Sequence, residues 1–357
     1  MDDDFFAGHF KLDVSLKENR SRQVSYTSDP RRGIRKKRTV TIWNKGKFLA
    51  HNVYLERTGP GDVRVVKQIL REDTSLDRCL TELRAMGRLS KENTLFVQFI
   101  GWFESSSHFY FAMEYCPLGD VAHCFPNPLS EAATRAIGRQ VIEGLSRLHE
   151  IKIIHRDIKP QNILVQQKDP IWVKIADFGI SKRVLDGETD LRSRVGTEGY
   201  IAPEVFGIIE VDEESSRYTS AVDVWSLGCL LHYILTKEPP FPKLTTLQYY
   251  CCDEDSVFPE EKLFTQGVGI SGRNFIKRLL GVDPGARPKV TSLDIMTQWK
   301  IAGAPQMLSS SKPGPSHIQN VLLECDQEPN QNDLSIQNDP SDQEEQMVKT
   351  ISIILKL

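Results

Sequence analysis

The stretch "HRDIKPQNILV" (residues 155–165) sets an aspartate, a lysine two residues on and an asparagine three beyond that into a proline-containing loop, directly after the apolar "IKII". The three side chains are a proton acceptor, a cation and an oxygen ligand for a metal, a set that a loop merely joining two strands has no need of. Twelve residues after Val165, "VKIADFGI" places Asp177 at the end of an apolar strand, ahead of Phe178 and Gly179. A carboxylate there is well placed for a divalent cation, which takes oxygen ligands. Lys67 shares a strand face with Val63, Val65 and Ile69, where an ammonium needs a partner because burying it alone is costly. Downstream follow "GTEGYIAPE" (196–204) and "DVWSLG" (223–228).

The elements that must position these groups change character along the chain. From residue 39 to 69 the pattern is strand-like, with "HNVYLER" and "VRVVKQI" separated by a turn over "TGPGD". Leu76, Cys79, Leu80, Leu83 and Met86 lie at helical spacing and Gly87 follows as a stop. "TLFVQFIGWFESSSHFYFAMEYC" is rich in aromatic and β-branched residues and breaks at Ser105 to His108, which predicts two or three strands. Beyond "PLGD" the pattern turns helical: Ser130 is an expected N-cap, and Ile137, Val141, Leu145 and Leu148 share one helix face. A β-rich part followed by a longer α-rich part predicts an α+β chain of two lobes joined near Cys116.

The bounds agree with an ordinary globular protein. The chain has 357 residues, 39% hydrophobic and 26% charged, so a sizeable core is available. A net charge of −3 is too small to draw the chain to nucleic acid or to an acidic membrane through its overall field. Seven scattered cysteines, without CxxC or Cys/His spacing, favour reduced thiols and an intracellular location, cytoplasmic or nuclear. The acidic "MDDDFFAGHF" is unlike a secretory signal, and no apolar run is long enough to span a bilayer. Residues 1–38 are expected to be an extension, partly disordered, ending in the basic run "RRGIRKKR"; without interleaved aromatics this run is a weak case for nucleic-acid binding. Residues 303–357, polar and acidic, are expected to be mostly disordered, with an apolar end in "MVKTISIILKL".

The HRD loop, DFG and APE, in that order, identify a resemblance to the eukaryotic protein kinases. It spans roughly residues 39–300 and implies a kinase domain over 39–302, with a small β-rich lobe over 39–115 and a larger helical lobe over 116–302. The resemblance implies a bilobal fold and phosphoryl transfer from ATP, with Mg2+, to protein Ser or Thr hydroxyls. Asp157 then matches the catalytic base, and Asn162 and Asp177 the metal ligands. Lys159 resembles the lysine of serine/threonine kinases that neutralises the transferring group. Lys67 resembles the lysine that contacts the phosphates, with Glu82 as its helix partner. "FAMEYCPLGD" resembles the hinge: Met113 guards the pocket, Glu114 and Cys116 offer backbone groups to adenine, and Asp120 reaches the ribose. Val53, Val65 and Leu164 enclose the base.

Further matches are structural. Glu204 and Arg287 resemble a buried ion pair, Asp223 a carboxylate that holds the HRD backbone, and His149 a structural histidine. Arg156 could pair with a phosphate on Ser193 or Thr189, added by an activating kinase or by autophosphorylation. The chain departs from the family in its phosphate-covering loop, residues 46–53. Of the three glycines of GxGxxGxV only Gly46 remains; Phe48 and His51 stand at the other two places. Val65 replaces a small alanine. These departures keep a second reading open, a catalytically weak or inactive scaffold of kinase fold.

Overall fold

The computed structural model describes residues 11–17, 19–28, 36–50, 52–72, 89, 93–177, 182–183, 199–209, 219–253 and 258–301. The expected helix over 76–86, the activation-segment residues Thr189 and Ser193, most of the basic run and the chain beyond residue 301 lie outside them.

Seven strands form the first lobe: β1 (Asp13–Lys17), β2 (Arg20–Ser28), β3 (Lys36–Ala50), β4 (Val53–Thr58), β5 (Val63–Leu70), β6 (Phe99–Glu104) and β7 (His108–Glu114). They pair antiparallel in the order β1-β2-β3-β4-β5-β7-β6. The turn expected between β4 and β5 is present, with Gly61 at φ +105°, a conformation glycine adopts without a Cβ clash. The two edges of the sheet then meet: Lys11 bridges Trp102 in parallel and the Leu12 N–H donates to the Trp102 carbonyl at 2.7 Å. This contact curls the sheet toward a barrel and covers part of the β6 edge.

Side chains alternate between the two faces of these strands. One face of β4 and β5 carries Val53, Leu55, Val63 and Val65, packed with Leu49. The other carries Tyr54 and Val66, which pack inside the barrel with Phe103, Ala112, Leu12 and Val14. The interior also holds a polar group. Arg64 is fully buried and pairs with the equally buried Glu56, its Nη2 2.6 Å from Oε2. Ser21 donates to Glu56 at 2.8 Å, and Gln23 accepts from Arg64 at 2.8 Å. The guanidinium lies 4.0 Å from the centre of the Trp43 ring.

Part of the N-terminal extension, residues 13–17 and 20–28, thus forms strands. β1 and β2 are strands of the same sheet as β4 and β5. β2 reads as solvated because it sends Ser21 and Gln23 inward to the Glu56 and Arg64 pair, partners that no local pattern reveals.

The second lobe is helical, and its long helix α2 (Glu131–Glu150) follows a short α1 (Val121–Cys124). Ser130 caps α2 as expected, accepting from the Ala133 N–H at 3.3 Å, and Ile137, Val141, Leu145 and Leu148 are buried along it. After α3 (Pro203–Phe206) comes α4 (Ala221–Thr236), buried on nearly every side, with Trp225, Phe241 and Tyr250 stacked at its flank. The helices α5 (Leu244–Cys252), α6 (Glu260–Thr265), α7 (Ile270–Leu279) and α8 (Ile295–Gln298) complete the lobe. Among the described residues the second lobe also holds four short strands, β8 (Ile153–Ile154), β9 (Ile163–Lys168), β10 (Ile171–Ile175) and β11 (Lys182–Arg183), paired β9 with β10 and β8 with β11. The lobes are tied where Ile175 donates to Leu95 at 2.8 Å and accepts from Val97 at 3.0 Å.

Two stability outcomes follow from buried charge. Arg64→Ala leaves Glu56 as an uncompensated carboxylate inside the barrel, and urea unfolding of the full chain is expected to show a loss of roughly 3–5 kcal/mol. The second concerns His232 on α4, which is fully buried and hydrogen-bonded to the Glu238 carbonyl at 2.8 Å. Burial pushes its pKa down to about 4, against the pull of that carbonyl. The unfolded chain, near the ordinary histidine value, then binds the proton more readily, so this contribution is complete above about pH 6.5 and is lost as pH falls toward 4. Its size is roughly 3 kcal/mol. The stability gap between wild type and His232→Gln is expected to narrow by about that amount between pH 7 and pH 4.

Candidate active site

The catalytic loop is shaped from beneath by Asp223, a fully buried carboxylate in the first turn of α4. Its oxygens accept from the His155 amide at 2.9 Å, the Arg156 amide at 2.8 Å and His149 Nε2 at 2.8 Å. Burial alone raises its pKa; the hydrogen bond and charge of His149, with His155 and the Arg156 amide, outweigh this and hold it below the usual carboxylate value. Drawing both amides to one carboxylate bends the chain, and Arg156 adopts the left-handed region at φ 70°. His155 continues the tie. Its Nδ1 accepts from the Asp157 N–H at 3.3 Å, which leaves Nε2 to donate to the Ala176 carbonyl at 3.1 Å.

Asp157, Lys159 and Asn162 meet in this loop. Lys159 Nζ lies 2.8 Å from Asp157 Oδ2, and the Asn162 amide donates to the same oxygen at 2.8 Å and to the Asp157 carbonyl at 2.7 Å. A 3-10 turn over Pro160–Asn162, with proline at its first position, sets the asparagine's direction. The Ala176 N–H donates to the Asn162 carbonyl at 2.8 Å, so the end of β10 is fixed to the loop. Asp177 follows with φ 61°, and its Oδ1 lies 2.9 Å from Lys67 Nζ across the lobes. Glu82, the expected partner of Lys67, lies outside the described residues.

Asn162, Asp177 and Lys67 line a cleft of about 790 Å3, counting the space at its open mouth, and Asp157 is joined to it through its hydrogen bond with Asn162. Val53, Val65 and Leu49 roof it, Leu164 and Ala176 floor it, and Met113, Glu114 and Cys116 form its back wall. Asp120, Asn162, Asp177 and Lys67 are also part of the lining. An apolar slot with a few convergent polar groups is the usual form of a small-molecule site. Gly46 is not part of it, since its Cα faces the Leu55 carbonyl in the strand pair. Phe48 is not part of it either: its half-exposed ring packs edge-on against Tyr54, on the barrel side of the sheet. Leu49, Val97, Tyr115, Gly119 and Gln161 line the cleft without having been singled out in the sequence. Leu49 could have been found from strand alternation, which sends it opposite to Phe48.

The donor set fits a nucleotide with magnesium. Asp120 Oδ2, Gln161 Oε1 and Asn162 Oδ1 are buried and have no hydrogen-bond partner among the described residues, and all three residues line the cleft. Such oxygens are costly to bury without a ligand's hydroxyls or a cation to meet them. Burial raises the Asp120 pKa, against the His123 amide that it caps. Two hard oxygen donors, from Asn162 and Asp177, suit Mg2+, which completes its shell from phosphates and water. In the back wall, burial, followed by the charge of Glu114, pushes the Cys116 thiol up to about 12. Below the site, Arg287 meets Glu204 through two bonds of 2.6 and 2.8 Å, both residues buried.

Comparison with known proteins agrees with this geometry. Residues 52–298 match the family model described as "Protein kinase domain", and the chain belongs to that family. It is 34% identical over 259 residues to the serine/threonine-protein kinase RAD53 of Saccharomyces cerevisiae, covering 69% of this chain and 31% of that protein. It is 30% identical over 265 residues to mitogen-activated protein kinase kinase kinase 1 of Arabidopsis thaliana, covering 71% and 41%. The chain thus spans only about a third to two fifths of the length of these relatives. A crystal structure of the Rad53 kinase domain and SCD2 in complex with AMPPNP superposes with a TM-score of 0.56 at 29% identity, over 75% of this chain and 93% of that one. β1, β2 and β3 all precede the residues that the family model matches.

Two measurements probe the cleft. Phe48→Gly, which restores a glycine where the family has one, is expected to change affinity for an ATP analogue less than about threefold, whereas Leu49→Gly, which removes roof, weakens it by about tenfold or more. Iodoacetamide at pH 8 is expected to label the exposed Cys252 while Cys116, buried and with its thiolate disfavoured, stays unmodified; nucleophilic reactivity at Cys116 would contradict the back-wall geometry.

Proposed function

We propose that the chain is a serine/threonine protein kinase that transfers the γ-phosphoryl group of Mg-ATP to protein hydroxyls. The observation that carries this reading is that Lys67, Asn162 and Asp177 line one cleft while Asp157, paired with Lys159, is hydrogen-bonded to Asn162, each carboxylate held by a lysine, at 2.8 and 2.9 Å. Bound Mg-ATP supplies the phosphoryl group and the cations that neutralise its charge. The chain's own residues do the rest. Leu49, Val53, Val65 and Leu164 hold the base between roof and floor and exclude water, and Glu114 and Cys116 give it backbone partners. Asp120 takes ribose hydroxyls. Lys67 draws the phosphates toward Asp177, and Asn162 with Asp177 provides cation ligands. Asp157 accepts the proton of the incoming hydroxyl through a carboxylate oxygen, while Lys159 faces the negative charge that spreads over the transferring group.

The alternative, a scaffold of kinase fold, rests on the side chains that replace loop glycines and on Val65: Phe48 packs on the barrel side of the sheet, away from the cleft, His51 lies outside the described residues, and Val65 lines the cleft. Phosphorylation of Ser193 or Thr189, by another kinase or by the chain itself, remains part of the proposal, with Arg156 as the pairing cation, as does an intracellular location.

The test is transfer of labelled γ-phosphate to a generic protein substrate and to the chain itself. Asp157→Asn is expected to lower the rate by about 10²- to 10⁴-fold while an ATP analogue still binds. Equal rates in the two proteins would sink the proposal; nucleotide binding with no transfer by either, after treatment with an activating kinase, would establish the scaffold.

A further inference from the structure

Lys174 carries no role in the reading above, yet it is a buried ammonium in the middle of the apolar strand β10, its side chain 5% exposed. The carboxylate of Glu114, at the end of β7, meets it at 2.6 Å. The same oxygen, Glu114 Oε1, accepts from the Gln98 N–H at 2.8 Å, and the Glu114 N–H donates back to the Gln98 carbonyl at 3.0 Å. Glu114 is thereby held through side chain and main chain at once, and its main chain is part of the cleft's back wall.

The other end of the contact is equally well placed. Lys174 pairs with Leu164 across β9 and β10, and Leu164 is the floor of the cleft. The next residue, Ile175, is hydrogen-bonded to Leu95 and Val97 of the first lobe. Asp177 stands three residues on. One ammonium therefore joins the back wall, the floor and the strand that delivers the metal-binding carboxylate. A low-dielectric setting strengthens such a pair and makes either half costly to leave alone.

We infer that Lys174 is a positioning residue for nucleotide binding: by holding the Glu114 carboxylate it sets the spacing between the back wall and the floor of the adenine slot. This rests on the kinase reading of the cleft, deepening it rather than extending it to another site. Neither residue touches the phosphates or the acceptor hydroxyl, so the effect falls on binding common to ground and transition states.

The experiment uses the full chain, a non-hydrolysable ATP analogue for direct binding, and steady-state phosphoryl transfer. Lys174→Met is expected to raise both the analogue Kd and the KM for ATP about tenfold with kcat within about twofold, and Lys174→Arg, which keeps the charge, to recover most of the affinity. Glu114→Gln keeps an oxygen for the Gln98 amide but loses the charge, and is expected to repeat the Lys174→Met effect; it carries the test if Lys174→Met fails to fold. Affinity unchanged within twofold in the folded variants overturns the inference, as does a fall in kcat with KM unmoved. If wild type binds the analogue without transferring phosphate, the activity proposal fails while the affinity comparison still decides the role of Lys174.

Discussion

The site depends on the burial of one carboxylate. Asp223 has no contact with solvent, and a charge in that position is tolerated only when its oxygens are filled with donors. The donors it recruits are two consecutive amides of the catalytic loop and a ring nitrogen from α2. Satisfying them forces Arg156 into a left-handed conformation, a local strain of about 1–3 kcal/mol that persists only because the surroundings over-determine it. The bend turns Asp157 toward the cleft, and His155 passes the constraint on to Ala176. Helix, loop and strand end are thus one hydrogen-bonded unit. Asp157, Lys159 and Asn162 sit on this unit, and fixed groups of this kind are what preorganised electrostatic catalysis would need.

The upper half of the cleft is set by a different device. β4 and β5 are shared between two environments, with Val53, Val65 and Lys67 facing the cleft and Tyr54, Arg64 and Val66 facing the barrel interior. Because alternate residues of one strand serve both, the packing of the interior fixes the height of the roof. The interior is held in part by the Arg64 and Glu56 pair and by two polar residues of β2. A segment ahead of the family-matched residues is in this way built into the lobe that roofs the cleft, and it contributes Leu49 to the lining.

Much of the site was legible because its chemistry is local. Asp157, Lys159 and Asn162 are close in sequence, and a loop that must present a base, a cation and a metal ligand has few ways to do so. Lys67 could be recognised by the cost of an ammonium on an apolar strand face. The same argument applies to Lys174 in "WVKIADF", where it went unused, because the partner that completes it, Glu114, lies sixty residues away. Strand alternation sends Phe48 to the barrel side of the sheet and Leu49 to the roof of the cleft, and His51, at the other lost glycine, lies outside the described residues.

By itself the sequence determined the division into a strand-rich and a helix-rich part, the Ser130 cap and the buried face of α2, and the identity of the groups able to do chemistry. Periodicity, capping and short-range spacing are properties of neighbouring residues, so they can be read along the chain. Tertiary structure alone decided that β1 and β2 join the sheet of β4 and β5, that Lys67 reaches Asp177, that Asp223 folds the loop around His155 and Arg156, and that Lys174 meets Glu114 behind the cleft. Each is a contact between residues far apart in sequence, made because a buried charge or open strand edge must find a partner wherever the fold supplies one.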